Sequence, residues 1–189
     1  MNGHNDPIKR RKVSDWIKKQ DPSICCLQET HFRPKDTYSM KKEGWKNIYH
    51  SNNPQKKAGI ATLILDKLKF IPKTVVRDEE EHYIVLKGSI QQEDLTIMNI
   101  YAPNVGAAKY INQLITKVKT YLDNNKLILG DLNVALSTID RYSKHNVSKE
   151  TRALNDTLDQ MDFTDTYRTL HPNTTEYTFF SVPMELSPE

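Results

Sequence analysis

The sequence predicts an α+β fold in which two β-sheets pack face to face with helices outside them. Several short runs are apolar on both faces, as strands inside a packed core are. Three of these runs follow one another with turn residues between them, and helical periodicity occupies other stretches. With 189 residues, 37% of them hydrophobic and 27% charged, the chain is sized for one core that needs neither disulfides nor a structural metal. No repeat, low-complexity tract or long Pro/Gly/Ser linker divides it, so residues 1–189 read as a single domain.

The elements follow in order. Residues Pro7 to Gln20 place Val13, Trp16 and Ile17 on one face of a helix that Asp21-Pro22 stops. Ser23 to Thr30 is a buried strand ending in polar side chains, with Glu29 at its carboxyl end. Gly59–Leu65, His82–Ile90 and Leu95–Tyr101 are the three successive strands, and their order suggests antiparallel hairpins. Tyr110, Ile111, Leu114, Ile115, Val118, Tyr121 and Leu122 repeat at helical spacing. Lys126 to Leu129 is a further buried strand that runs into Gly130-Asp131-Leu132-Asn133. A helix over Lys149 to Met161 and a strand over Thr175 to Phe180 complete the order.

Composition narrows the chemistry. The two cysteines, Cys25 and Cys26, are neighbours in a strand, so they point to opposite faces and cannot form an ordinary bridge. As reduced thiols they suit a nuclear or cytoplasmic protein, and no pair of Cys or His stands at zinc-ligand spacing. The longest apolar run, Ile60 to Leu65, falls far below the ~20 residues of a membrane span, and the lysine-rich start lacks a signal peptide's apolar stretch. Secretion and membrane insertion are therefore not expected. Net charge is +3, with the basic residues gathered at Lys9-Arg10-Arg11-Lys12, Lys18-Lys19, Lys41-Lys42 and Lys56-Lys57. Such clusters permit a phosphate backbone as partner, although solvated helix faces carry them too.

Three strands end alike: in Gln28-Glu29-Thr30-His31, in Asn99-Ile100-Tyr101-Ala102-Pro103-Asn104 and in Gly130-Asp131-Leu132-Asn133. Strand ends of a packed sandwich share a rim, and two carboxylates, a phenol and carboxamides there could hold a hard divalent cation and a phosphate oxygen. Each residue also has an ordinary structural use. Glu29 and Asp131 suit turns or helix caps, Tyr101 suits a core, and a Gly-Asp-x-Asn turn spends its side chains on backbone hydrogen bonds. Loops for nucleoside triphosphates or dinucleotides, a Gly-x-Ser-x-Gly elbow and a His-Glu-x-x-His pair are all missing, which leaves phosphodiester hydrolysis as the best-fitting class.

Cys25-Cys26-Leu27-Gln28-Glu29-Thr30-His31, Gly88 to Glu93, Asn99 to Asn104, Leu129 to Asn133 and Tyr167 to Pro172 together resemble the apurinic-type endonuclease domain of mammalian LINE retrotransposons, within the endonuclease/exonuclease/phosphatase superfamily. The resemblance runs through most of the chain. It implies a four-layer α/β/β/α sandwich and a metal-dependent hydrolase that nicks one DNA strand, leaving a 3′-hydroxyl for a reverse transcriptase on the same polyprotein. Mg²⁺ is the implied cofactor, with Mn²⁺ as the substitute, DNA the implied partner, and no membrane is involved. By the same transfer Glu29 is the metal ligand, Asp131 orients or deprotonates the attacking water, Asn133 helps to position that water and the scissile phosphate, and Tyr101 hydrogen-bonds the phosphate. Asn2 and Thr178 match DNA-contacting positions.

The resemblance also has departures. The family's opening strand would precede Met1, and its Asp strand and Ser-Asp-His motif would lie beyond Glu189, while His145 and His171 fall elsewhere in the pattern. An incomplete fold with impaired nicking is the resulting expectation. The rival expectations are a non-catalytic DNA-binding remnant and a phosphoinositide or sphingolipid phosphodiesterase of the same superfamily.

Overall fold

The structure, a computed structural model, describes residues 12, 15–17, 19–30, 38, 41, 45–51, 59–140, 147–172 and 174. The chain divides into two compact units, residues 1–102 with 118–131 and residues 103–117 with 132–189.

The first unit holds both sheets. Strands β1 (Ile24–Gln28), β2 (Asn47–Ser51) and β3 (Ile60–Ile64) form an antiparallel sheet of order β1-β3-β2. The central position falls to β3, whose Ile-Ala-Thr-Leu-Ile run is buried along its whole length. Strands β4 (Ile71–Arg77), β5 (Tyr83–Ile90), β6 (Glu93–Tyr101) and β7 (Lys126–Asp131) form the second sheet in sequence order, antiparallel until β7 joins β6 in parallel. A parallel pair needs a crossover connection, and helix α1 (Ala107–Val118) with the 3₁₀ turn Lys119–Tyr121 supplies its length.

The sheets face one another across one core. Ile60 and Ile64 of β3 cluster with Ile84 and Leu86 of β5, Ile97 of β6 and Phe70. Burying each such side chain contributes roughly 1.5–3 kcal/mol, so this seam is what holds the sheets together. Alternation then assigns Leu63 and Cys25, which face each other in register, to the other side of the first sheet, where they cluster with Ile17 and Trp45. Cys26 faces the second sheet, beside Thr62. Both thiols are free, and burial pushes them up to about 11 and about 12 respectively.

In the second unit, α1 buries Ile111, Leu114 and Ile115 at helical spacing. Helix α2 (Lys149–Gln160) starts where the Ser148 side chain accepts a hydrogen bond from the Thr151 amide at 3.1 Å. Asn112 joins the two helices, donating to the Ala153 carbonyl at 3.3 Å and accepting from Thr157 Oγ1 at 3.1 Å. The short helix α3 (Thr166–Leu170) is capped by Asp165, which accepts from the Arg168 amide at 2.9 Å. No helix among the described residues is long and apolar enough to cross a membrane.

The expected α+β fold with two packed sheets is the one observed. The hairpin expectation needs correction. Of the three strands expected, β5 and β6 form one; β3 pairs with β1 and β2 in the other sheet, and β4 intervenes and makes its own antiparallel pair with β5. Strand β4 escapes the apolar pattern because it is an exposed edge, with Pro72 beside an irregularity in the ladder. Strand β2, Asn-Ile-Tyr-His-Ser, is too polar to be recognised, and α3 is too short. The expected strand over Thr175 to Phe180 lies outside the described residues.

Candidate active site

The strand ends of the first unit converge on Tyr101. In β6, alternation puts Ile97, Asn99 and Tyr101 on the face toward the first sheet. Tyr101 stands opposite Asp131 in the β6–β7 register, so the two side chains emerge on one face, and the Ala102 amide donates to the Asp131 carbonyl at 2.8 Å. From the other sheet comes Glu29. Gln28 points into the core, so unbroken alternation would turn Glu29 away; its left-handed backbone, φ 52°, redirects the chain instead. Tyr101 Oη then donates to Glu29 Oε1 at 2.9 Å.

The phenol senses both carboxylates. Burial, the hydrogen bond to Glu29, and the charges of Glu29 and then Asp131 together push it up to about 12. Tyr101 is thus a protonated hydrogen-bond donor at neutral pH. Asp131 itself is exposed, and Glu29 is half-buried.

A buried amide network lies beneath this rim. Gln28 Nε2 donates to Asn99 Oδ1 at 2.8 Å, and Asn99 Nδ2 donates to the Ala61 carbonyl at 2.9 Å and to Thr62 Oγ1 at 3.2 Å. Asn99 is completely buried, so these bonds offset the cost of desolvating its amide and tie β1, β3 and β6 together just below Glu29 and Tyr101. Gly130 leaves room for this arrangement. With φ 119°, it would place a Cβ 2.1 Å from the Ile100 carbonyl oxygen and 3.0 Å from Asn99 Oδ1. Beside Tyr101 stands His82, whose carbonyl accepts from the Tyr101 amide at 2.7 Å and whose ring centroid lies 6.3 Å from the phenol's.

Of the residues expected at the site, Glu29, Tyr101 and Asp131 are therefore brought together. Asn133 belongs to the second unit, two residues beyond Asp131, and has a left-handed backbone, φ 48°. Asn2 and Thr178 lie outside the described residues. The supporting roles of Gln28, Asn99 and Gly130 were missed. One signal existed for Asn99: an uncharged amide two residues before Tyr101 in an otherwise apolar strand end must find buried partners.

The rim has the donors that a hard cation takes, carboxylate oxygens beside a phenol. Among the described residues no three His, Cys, Asp or Glu side chains are placed to hold a metal ion between them.

Comparison with known proteins agrees with this architecture. The chain is 24% identical over 186 residues to the transposon TX1 uncharacterized 149 kDa protein of Xenopus laevis, covering 96% of this chain and 14% of that protein. It is 29% identical over 193 residues to the DNA repair nuclease APEX1 of Danio rerio, covering 90% of this chain and 61% of the relative. The chain thus spans less than two thirds of these curated relatives. Among solved structures, an AP endonuclease from Archaeoglobus fulgidus superposes with a TM-score of 0.69 at 22% identity, covering 93% of this chain and 74% of that one. The 3′-5′ exonuclease NExo from Neisseria meningitidis gives 0.68 at 19% identity, covering 94% and 75%. The sequence model of the endonuclease/exonuclease/phosphatase family matches residues 1–185, and with the two packed sheets and their shared rim this shows that the chain belongs to that family.

Proposed function

We propose that this chain is the endonuclease domain of a retrotransposon polyprotein, a Mg²⁺-dependent phosphodiester hydrolase that nicks one strand of DNA. The observation that carries the reading is the Glu29–Tyr101 hydrogen bond with Asp131 beside it, at the joined strand ends of two packed sheets. The likeness to a transposon protein and to a DNA repair nuclease supports the choice of substrate and context. The domain meant is the whole of residues 1–189, which the family match through residue 185 supports.

In this reading Glu29 would hold the metal. When bound, Mg²⁺ supplies electrostatic stabilisation of the charge that builds on the phosphate (Mn²⁺ being the substitute). Asp131, exposed at the end of β7, orients or deprotonates the attacking water, and Asn133 helps to hold that water and the scissile phosphate. Tyr101 keeps its proton and, once Glu29 is engaged by the metal, turns its single O–H from that carboxylate to donate a hydrogen bond to the phosphate. Asn2 and Thr178 contact the DNA, and a reverse transcriptase domain of the same polyprotein extends the 3′-hydroxyl that the nick leaves.

The test is conversion of supercoiled plasmid to nicked circle with Mg²⁺. Glu29→Gln and Asp131→Asn should each slow it by about 10²-fold or more, and a chelator should abolish it. Nicking indifferent to both substitutions and to chelation would reject the assignment. DNA binding without nicking would favour the non-catalytic remnant, and hydrolysis of a phospholipid in place of DNA the lipid branch.

A further inference from the structure

Tyr101 and Asp131 have a third neighbour in the same row. Tyr83 pairs with Ile100 across the β5–β6 hairpin, so His82 stands opposite Tyr101, as the 2.7 Å bond from the Tyr101 amide to the His82 carbonyl requires. Residues opposite one another on neighbouring strands carry their side chains on one face. Imidazole, phenol and carboxylate of His82, Tyr101 and Asp131 therefore form a line across three strand ends, with Glu29 reaching it from the other sheet.

The imidazole is held in place. Its ring lies 6.3 Å from the Tyr101 ring at 49°. Asp78 holds the turn before β5, accepting from the His82 amide at 3.1 Å, and the same carboxylate oxygen stands 3.9 Å from His82 Nδ1. The side chain remains 34% exposed, open enough to meet a ligand, whereas Asp78 is 15% exposed and sits behind it.

Chemistry gives the position a purpose. A phosphodiester entering this row meets the carboxylates of Glu29 and Asp131, which repel it, and a single phenol. An imidazole carries at least one N–H in either neutral tautomer and two when protonated, so His82 adds a nitrogen donor where an anionic substrate needs one. We propose that His82 is a DNA-contacting residue of this site, whose ring N–H donates to a phosphate oxygen of the bound strand. The inference rests on the nuclease reading above and adds a specific contact to it.

The experiment compares the full chain with His82→Phe, which keeps a ring against Tyr101 without an N–H, and His82→Gln, which keeps an N–H donor. Each is titrated with a short DNA duplex in the absence of divalent metal, its nicking kinetics are followed with Mg²⁺, and its thermal midpoint is recorded. The expected result is binding about ten-fold weaker and KM about ten-fold higher for His82→Phe, with kcat nearly unchanged, because a contact made equally before and during reaction moves KM alone. His82→Gln should recover most of the loss. Unchanged affinity in folded His82→Phe would overturn the proposal, as would a fall in kcat without a change in binding. Should His82→Phe not fold, His82→Ala takes its place under the same criteria. Failure of the two readings is distinguishable: binding that depends on His82 in a chain that never nicks ends the nuclease reading and keeps this contact, whereas nicking indifferent to His82 ends the contact alone. A chain that binds no DNA overturns both.

Discussion

Glu29 meets Tyr101 because one residue has a positive φ, and the amide network below holds the two groups there. Tyr101 tests the electrostatics. A phenol raised above its ordinary 10.0 holds its proton more tightly in the folded state, so the stabilisation it contributes is whole below pH 10 and is lost as pH climbs through about 12. The stability difference between the chain and Tyr101→Phe should therefore be constant near neutral pH and shrink in alkaline urea melts; a difference that grows would contradict the direction of the shift. Nicking by Tyr101→Phe should fall about 10²-fold at neutral pH, where the phenol is protonated. Asn99→Leu tests the layer beneath. It strands the Gln28 amide and the Ala61 carbonyl in the core, and should cost about 1–3 kcal/mol by chemical denaturation. Stability at or above that of the unmodified chain would mean the network is dispensable to the fold.

Among the elements, the β6–β7 pair depends on its glycine. Gly130 stands opposite Ile100, and any Cβ would enter the Ile100 backbone, which cannot yield without opening the ladder that sets Asp131 beside Tyr101. Gly130→Ala should cost about 3 kcal/mol or more and reduce activity with it, read as a lower urea midpoint. A midpoint unchanged by the substitution would show that the ladder shifts freely. The other strands show what periodicity can reveal. Strands β3, β5 and β6 were legible because burial on both faces makes an apolar run, whereas β2 and β4 were not, because exposed strands leave no such run.

At the scale of the molecule the question is whether the two units unfold together. The second unit is clasped by Arg168, whose Nε donates to Asp140 Oδ1 at 2.7 Å and whose Nη1 donates to the Thr174 carbonyl at 2.7 Å. Asp140 is buried, which alone would raise its carboxyl, but hydrogen bonds from Ser137 and Arg168 outweigh burial and lower it below its ordinary 3.8. Its contribution is therefore present above pH 3.8 and lost as acid protonates it in the folded chain. Arg168→Ala leaves this carboxylate buried without its cation and should cost about 3–5 kcal/mol. Hydrogen exchange should then accelerate in α2 and α3 while β5 and β6 stay protected; equal loss everywhere would mean one cooperative fold. Binding to duplex DNA, if the basic clusters meet phosphates, should weaken with salt at a log–log slope of about −0.9 per neutralised phosphate, and an affinity flat in salt would speak against that footprint.

The sequence by itself determined that apolar strands end in Glu29, Tyr101 and Asp131, because strand burial and the polar residues that follow it are local properties of the chain. It also determined the two-sheet class, since runs apolar on both faces demand cover on both. The tertiary structure decided the rest. Which sheet takes β3, the turn that aims Glu29, the register that sets His82 and Asp131 on either side of Tyr101, and the amides that brace them all depend on pairing between residues distant in sequence. A shift of one residue would send every one of those side chains to the opposite face, and only the packed core selects the register that brings them together.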